Sequence, residues 1–253
     1  MTDDPLVRYE VDRAVATLTL DSPRNRNALS STLVAQLEQG LADAAKDPSV
    51  RAVVLTHTGG TFCAGADLSE ATTGDPTANP RRLVAVMRAV IELPKPVIAQ
   101  VDGHVRAGGL GLLGACDLAL AGPSSTFAFT EVRLGLAPAA ISLALLPRLD
   151  PRGAARWYLT GSVFDPAEAQ QIGLLTQAPP DTAEALAPLL DALRLASPQG
   201  LAETKRLVTA EVLRTFERDG ESMVAQSALL FGSDEAREGM LAFLERRPPR
   251  WAS

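Results

Sequence analysis

A cluster of glycines between two apolar runs is the feature that most constrains how this chain folds. The cluster lies within residues 95–140 and consists of Gly108, Gly109 and Gly111. The run before it, Pro96–Val101, is short, rich in β-branched residues and bounded by turn residues, which predicts a buried strand. Gly109–Ala115 is then predicted to start a helix. Free N–H groups at such a helix start favour an oxygen that carries negative charge.

The rest of the first 140 residues alternates between strand and helix patterns. Leu6–Val11 and Val15–Leu20 predict a hairpin, and Ser30 or Ser31 is predicted to cap a helix that ends before Pro48. Further predictions are a strand at Arg51–Thr56, a loop at Ala71–Pro80, a helix at Arg81–Leu93, and strands at Asp117–Ala121 and Phe127–Phe129. This order of elements predicts an α/β fold.

Beyond Ala139 the sequence is mostly helical, with proline and glycine between the segments. The predicted helices are Ile141–Leu149, Pro151–Thr160, Pro166–Gln171, Thr182–Ala196, Pro198–Ala210, Leu213–Leu230 and Asp234–Arg246. We interpret the dipeptide Pro179-Pro180 as a boundary before the last four of them.

The composition excludes several classes of function. Hydrophobic residues make up 46% of the 253 residues, which is enough for a sizeable core. Aromatic residues make up 4% and the formal net charge is −6, so a nucleic-acid partner is disfavoured. No apolar run is long enough for a membrane span, and the first residues lack a signal-peptide pattern. Cys63 and Cys116 are interpreted as free buried thiols, so we predict a cytoplasmic protein.

Residues 109–114 match the dinucleotide-binding pattern G-x-G-x-x-G. In that pattern the first glycine directly follows its strand, whereas residues 102–108 separate Val101 from Gly109 here. Nicotinamide or flavin binding is therefore disfavoured. The sequence also lacks paired cysteines, spaced histidines and clustered carboxylates, so we expect no metal site.

Glu131 is the candidate acid or base nearest to the glycine cluster. Two other interpretations of this glutamate stay open, a solvated surface charge and an ion pair with Arg133. His57 and His104 have no partner at a recognisable spacing, and we interpret both as structural.

Two segments of small residues each follow a predicted strand, Ala64–Ala66 and Ala107–Gly109. Small residues let another group approach the backbone closely. If the two segments converge, their amides supply two hydrogen-bond donors for one oxygen. The side chain of Asp67, directly after the first segment, is interpreted as a helix N-cap.

Several motifs in this order resemble those of the enoyl-CoA hydratase/isomerase family, also called the crotonase superfamily. Asn27-Ala28-Leu29-Ser30 resembles its N-A-L-[NS] segment, and Phe62–Leu68 resembles its F-x-A-G-A-D-[LI] motif. The remaining similar segments are Lys95–Ala99 with Gly103 and Gly108-Gly109, Cys116-Asp117, Phe127–Gly135 and Glu238–Arg247. The resemblance covers almost the whole chain.

The resemblance implies a crotonase-like spiral of ββα units over residues 1–195, followed by a C-terminal helical trimerisation region over residues 196–253. It also implies a homotrimer or a dimer of trimers. The implied substrate is an acyl-CoA thioester, so coenzyme A belongs to the substrate and no separate cofactor is expected.

The resemblance also implies roles for individual residues. The N–H groups of Ala66 and Gly108 match the family's oxyanion hole, and Glu131 matches the second of its two catalytic glutamates. The implied CoA-binding residues are Arg24, Arg26, Ala28, Ala64, Asp67 and Leu68, joined by Phe243 and Arg246 from a neighbouring subunit. The first family glutamate would stand at position 111, where this chain has glycine.

These features favour an enoyl-CoA hydratase that uses a single glutamate. Two alternatives stay open, an enoyl-CoA isomerase that moves a proton with the same Glu131 and a non-catalytic acyl-CoA binder. Ala139 stands where the dehalogenase branch of the family has aspartate, so that activity is disfavoured. The acyl group is not predicted by the sequence.

Overall fold

The computed structural model describes residues 5–67, 70 and 75–252. The strands are β1 Val7–Asp12, β2 Val15–Leu20, β3 Ala52–His57, β4 Thr61–Cys63, β5 Val97–Val101, β6 His104–Arg106, β7 Leu118–Ala121 and β8 Thr126–Ala128. The helices are α1 Ser31–Lys46, α2 Ala78–Glu92, α3 Gly108–Ala115, α4 Ala139–Leu145, α5 Pro151–Thr160, α6 Pro166–Gln171, α7 Thr182–Leu195, α8 Pro198–Phe231 and α9 Asp234–Leu244.

The strands form two sheets. The larger sheet has the order β1-β2-β3-β5-β7, and the smaller sheet has the order β4-β6-β8. Strands β1 and β2 form the predicted antiparallel hairpin, and the other neighbours in both sheets are parallel. In the first round both strands, β1 and β2, lie in the large sheet and α1 follows them. From β3 onwards, each round of the chain places one strand in the large sheet, the next in the small sheet and then a helix. This repetition confirms the predicted α/β fold of ββα units.

The helices of the first half cover the sheets with apolar faces. Helix α1 begins where Ser30 accepts a hydrogen bond from the N–H of Leu33 at 3.3 Å, which confirms the predicted cap. Its buried face joins the main core with residues of α2 and α3. Helix α7 covers part of the large sheet instead, where Leu186 packs with Ile98 and Leu120 in a second, smaller cluster.

The boundaries of two predicted helices near the site are corrected by the structure. Helix α2 begins at Ala78, three residues before the predicted start, so the predicted loop is shorter; residues 71–74 of it lie outside the described part. Helix α4 runs over Ala139–Leu145, earlier than the predicted range Ile141–Leu149. It ends close to Pro147, which has no N–H to donate to a further helical turn.

The two predicted helices Pro198–Ala210 and Leu213–Leu230 are wrong, because α8 is one helix of 34 residues. No glycine or proline lies between the two predicted segments, and Val212 is buried in the main core together with Phe216. Packing against the core therefore continues across the predicted break.

The division between residues 195 and 196 and the trimerisation role of the C-terminal helices stay predictions. Among the described residues, none of the helices is both long and apolar enough to span a bilayer.

Candidate active site

Three segments meet at one edge of the small sheet because its strands are parallel. Strand β4 is followed by Ala64–Ala66, β6 by Ala107 and Gly108, and β8 by the short 3-10 helix Thr130–Leu134, which carries Glu131. Strands β6 and β8 pair in regular register up to their ends, since Arg106 of β6 lies beside Ala128 of β8, and the register of β4 shifts against β6 between Thr61 and Cys63. The carboxyl ends of neighbouring parallel strands lie together, so the fold brings the predicted site residues to one place.

The backbones at Gly65 and Gly108 approach each other closely. A Cβ atom on Gly65 would lie 2.9 Å from the Cβ of Ala107 and 3.3 Å from the amide nitrogen of Gly108. Gly65 also has a φ of +95°, a conformation that other residues rarely adopt. The predicted convergence of the two small-residue segments is therefore present.

The amides of Ala66 and Gly108 are unpaired donors at this meeting point. Gly108 is the first residue of α3, so its N–H has no acceptor within the helix. In the described part of the chain, neither amide N–H has a hydrogen-bond acceptor. Two free N–H groups on adjoining backbones can bind one oxygen, and the N-terminus of α3 adds a favourable dipole.

Glu131 is buried, with 9% of its surface exposed. Its Oε2 atom has no hydrogen-bond partner among the described residues. Removal from water raises the pKa of the Glu131 carboxyl from 4.5 to about 7. The interpretation of this glutamate as a solvated charge is therefore wrong. A carboxyl group with a pKa near neutrality can both take and give a proton at working pH.

The predicted alternative of an ion pair between Glu131 and Arg133 is also wrong. The guanidinium of Arg133 points to α5, where Nε donates to the carbonyl oxygen of Thr160 at 3.3 Å and a terminal nitrogen lies 3.5 Å from the Ser162 hydroxyl. The carboxyl group of Glu131 thus keeps a free oxygen and has no neutralising cation from this neighbour.

Gly111 is tightly enclosed between α2 and α4. A Cβ atom at this position would lie 2.5 Å from Cγ2 of Ile141 and 2.8 Å from the sulfur of Met87. The apolar side chains of Ile141 and Met87 therefore fill the place where a side chain at position 111 would stand. The site holds no second carboxylate at position 111.

Two hydroxyl groups lie beside the Glu131 segment, and sequence reasoning missed both as site residues. The Tyr158 ring on α5 packs against Phe129, with ring centroids 4.2 Å apart, and its Oη lies 3.5 Å from Oγ of Ser142 on α4. Ser142 closes the run of residues that begins at Glu131 and resembles the family, whereas Tyr158 belongs to no motif, and the distance along the chain hides their contact. The sequence contains no local signal that would have joined Tyr158 to Glu131.

The loop before α1 lies beside Ala64–Ala66, the first of the two small-residue segments. The N–H of Ala64 donates to the Arg26 carbonyl at 3.1 Å, and the N–H of Leu29 donates to the Gly65 carbonyl at 2.8 Å. Asn27, buried in this loop, fixes it by donating from Nδ2 to the carbonyl oxygens of Thr58 and Thr61.

The predicted CoA-binding residues around this loop are therefore neighbours. Ala28 is buried, whereas the side chains of Arg24 and Arg26 are exposed and available to an anionic ligand. The Asp67 carboxylate lies 3.4 Å from Nδ2 of Asn25, which ties the loop to the segment after β4. The prediction for Leu68 falls outside the described residues, and the N-cap role of Asp67 stays a prediction.

The predicted contacts from a neighbouring subunit involve α9. Phe243 and Arg246 are both exposed at the end of this helix. Helix α9 packs on the Glu131 segment through Gly239, where a Cβ atom would lie 2.5 Å from the Leu134 backbone. The role of both residues in binding CoA stays a prediction.

The cysteines do not supply a nucleophile to this site. Cys63 and Cys116 are free and buried, as predicted, and burial raises the pKa of each thiol to about 12. Within the described ranges, no group of three His, Cys, Asp or Glu side chains is placed to hold a metal ion. Glu131 and the backbone N–H groups of Ala66 and Gly108 are the polar groups that the structure brings to this place.

The sequence matches the family model described as enoyl-CoA hydratase/isomerase over residues 10–253. The enoyl-CoA hydratase EchA19 of Mycobacterium tuberculosis is 34% identical, with 95% of each chain covered. The crystal structure of an enoyl-CoA hydratase from Mycobacterium avium superposes with a TM-score of 0.93 at 57% identity, covering 98% of this chain and 99% of that one. A carnitinyl-CoA hydratase from the same organism superposes with a TM-score of 0.85 at 29% identity, covering 98% of both chains.

Proposed function

This chain belongs to the enoyl-CoA hydratase/isomerase family, and we propose that it adds water across the C2–C3 double bond of a 2-enoyl-CoA. One observation carries the proposal. A buried carboxyl group with a free oxygen lies at the same sheet edge as two unpaired backbone donors. Hydration of an enoyl thioester needs both parts, a base for the water and donors for the thioester oxygen.

The proposed reaction starts with the thioester carbonyl in the oxyanion hole. The N–H groups of Ala66 and Gly108 donate to the carbonyl oxygen, which makes C3 electron-poor. Glu131 takes a proton from water while the water oxygen forms a bond to C3. The π electrons of C2–C3 move towards the thioester, where an enolate forms on the oxygen that the two amides hold. Glu131 then gives its proton to C2, and the carbonyl is restored.

The contribution of each of these groups to the reaction rate has a typical size. A positioned acid or base contributes about 10²- to 10⁴-fold in rate. Loss of one donor from an oxyanion hole costs about 10²- to 10³-fold in kcat. Both effects depend on exclusion of water, and the burial of Glu131 supports this condition.

The proposal includes how coenzyme A is held. Arg24 and Arg26 are proposed to bind its phosphates, because an exposed guanidinium forms charge-assisted bonds with phosphate. Ala28, Ala64, Asp67 and Leu68 are proposed to line the path of the thioester to the oxyanion hole. Phe243 and Arg246 are proposed to contact the CoA bound by a neighbouring subunit of a homotrimer or a dimer of trimers, and we propose that the enzyme acts in the cytoplasm.

Isomerisation of an enoyl-CoA is the second candidate function, and the packing around Gly111 favours it. With Ile141 and Met87 at this position, Glu131 has no second carboxylate opposite it at position 111. An isomerase needs a single base that moves a proton between two carbons of the acyl chain, without water as a reactant. The two functions therefore differ in whether water is added.

The test offers a panel of 2-enoyl- and 3-enoyl-CoA thioesters to the full-length protein, with products analysed by mass spectrometry. A gain of one water on a 2-enoyl-CoA supports hydration, whereas a 3-enoyl-CoA converted without a mass change supports isomerisation. Glu131→Gln is expected to lose most turnover and to keep CoA-thioester binding, while Glu10→Gln, at an exposed position on β1, serves as the matched control. Tight binding without turnover across the panel would reject both and indicate an acyl-CoA binder.

A further inference from the structure

The backbone is strained at Ala107, the residue between strand β6 and helix α3. Its φ is +46° and its ψ is −121°, and residues other than glycine rarely adopt a positive φ. Glycine takes this conformation readily because it has no Cβ, whereas in other residues the conformation costs free energy. The fold therefore keeps an alanine at a position where the backbone alone favours glycine.

The peptide group between Ala107 and Gly108 takes its direction from this conformation. The N–H of Ala107 donates to the carbonyl oxygen of Ala128 on β8 at 3.4 Å, and its carbonyl oxygen accepts from the N–H of Leu110 on α3 at 2.9 Å. The peptide after Ala107 is trans and planar, so its C=O and N–H groups point in opposite directions. Because the Ala107 carbonyl points into the first turn of α3, the N–H of Gly108 points away from the helix.

The methyl group of Ala107 faces Gly65, in the segment after β4. A Cβ atom on Gly65 would lie only 2.9 Å from the Cβ of Ala107. Beside this contact, a Cβ atom on Gly108 would lie 3.6 Å from the Cα of Gly65. The methyl group thus packs where the two backbones with unpaired N–H groups meet, and it keeps these backbones from shifting closer together.

We propose that Ala107 is a positioning residue of the oxyanion hole, and that its methyl group fixes the separation of the Ala66 and Gly108 N–H groups. The inference rests on the proposed function, because it concerns the same two donors. Donors held in place before the reaction stabilise a developing oxyanion more than donors that must rearrange. The strained backbone is then the cost of placing a side chain between the two segments.

The variant Ala107→Gly is expected to gain stability and to lose activity. Relief of the positive φ of an alanine outweighs the added freedom of glycine in the unfolded chain, so the urea midpoint of unfolding is expected to rise. The loosened donors are expected to lower kcat by about 10-fold, which is less than the loss expected from removal of a whole donor. Binding of the CoA thioester is expected to change by less than about 3-fold, because the donors act mainly in the transition state.

A spectroscopic measurement reports on the donors without turnover. The ligand is the saturated analogue of the best 2-enoyl-CoA substrate, labelled with ¹³C at the thioester carbonyl. Hydrogen bonds to the carbonyl oxygen lower its stretching frequency, which difference infrared spectroscopy measures for the bound ligand. We expect a lowered frequency with the wild type and a smaller shift with Ala107→Gly, a change that a purely structural role would not produce.

The matched control is Ala14→Gly. Ala14 is also an alanine with a positive φ, +64°, and it lies in the turn between β1 and β2. This control is expected to raise the unfolding midpoint in the same way and to leave kcat and the carbonyl frequency at their wild-type values.

Three outcomes would overturn the inference. Wild-type kcat and carbonyl frequency in Ala107→Gly would show that the methyl group does not hold the donors. An unfolding midpoint of Ala107→Gly below that of the wild type would show that the methyl group supports the fold and that the backbone is not strained. If the wild type turns over no CoA thioester, the proposed function itself fails and the inference fails with it, which separates this case from the first two.

Discussion

Ile141 occupies the space that a side chain on Gly111 would need. The distance of 2.5 Å between a Cβ atom at position 111 and Cγ2 of Ile141 is far shorter than a van der Waals contact. Helices α3 and α4 pack closely at this point because position 111 is glycine. The glycine at position 111 therefore accounts both for the absence of a carboxylate there and for the close packing of α3 against α4. Restoring a glutamate requires that α4 moves.

Gly111→Ala is expected to destabilise the protein by about 1–3 kcal/mol, because overpacking forces neighbouring side chains or the backbone to shift. Gly220→Ala is the control, since no atom lies within 4 Å of a Cβ there and α8 continues on both sides. The control is expected to be neutral or stabilising by about 0.5–1 kcal/mol. Urea unfolding of the two variants measures the difference, and equal stabilities would contradict the packing argument.

Gly65→Ala is expected to lower kcat without a matching loss of CoA binding. The new methyl group would stand 2.9 Å from the Cβ of Ala107 and 3.3 Å from the Gly108 nitrogen, so the two N–H groups that we propose as oxyanion donors must move apart. A loss of about 10²-fold or more is expected from a displaced donor. Steady-state kinetics and thioester binding by calorimetry measure the two effects, with Gly220→Ala again as the control. Unchanged kcat would remove these amides from the reaction.

The pH dependence of the reaction is expected to follow the Glu131 carboxyl. As the base, Glu131 must be ionised in the free enzyme, so kcat/KM is expected to rise with pH up to about 7 and then to level off. This profile is measured with a 2-enoyl-CoA substrate between pH 5 and pH 9 (roughly the range over which such a group changes state). A profile that is flat from pH 5 upwards would show that the titrating base is a different group or that Glu131 is ionised throughout.

Glu131→Gln is expected to become more stable than the wild type as the pH rises. Burial raises the pKa of Glu131 from 4.5 to about 7, so between these values the folded state binds more protons than the unfolded state. The wild type therefore loses stability as the pH increases through this range, whereas glutamine does not titrate. The difference amounts to about 3 kcal/mol at most. Denaturant unfolding at pH 4.5 and pH 8 tests it, and a constant difference would contradict the raised pKa.

Lys205→Met is expected to destabilise the fold by about 3–5 kcal/mol, because it leaves a buried carboxylate without its cation. Nζ of Lys205 lies 2.7 Å from the Asp117 carboxylate and also donates to the carbonyls of Val90 and Lys95. Arg206→Met, one position along α8, removes an exposed pair with Glu203 and is expected to cost no more than about 1 kcal/mol. Similar unfolding midpoints for the two variants would contradict the buried role of Lys205.

Local sequence patterns were sufficient to predict most helices and strands, but they did not predict the length of α8, the longest helix. The hairpin and the Ser30 cap agree with the structure, because alternation and capping depend on neighbours in sequence. Helix α8 was divided into two in the prediction, because its buried residues are far apart along the sequence and meet the core one by one. Whether such a helix continues is decided by the core that receives Val212 and Phe216.

The sequence by itself determined the family and the ββα order, and it singled out Glu131 and the two small-residue segments as site candidates, because these are carried by motifs of adjacent residues. The tertiary structure alone decided the pKa of Glu131, the packing at position 111 and the side-chain contacts around the site. Burial of Glu131 sets its pKa, contact with Ile141 closes position 111, and the approach of α5 brings Tyr158 and Ser142 together. Each of these depends on distances between residues that are remote in sequence, and such distances exist only after the chain has folded.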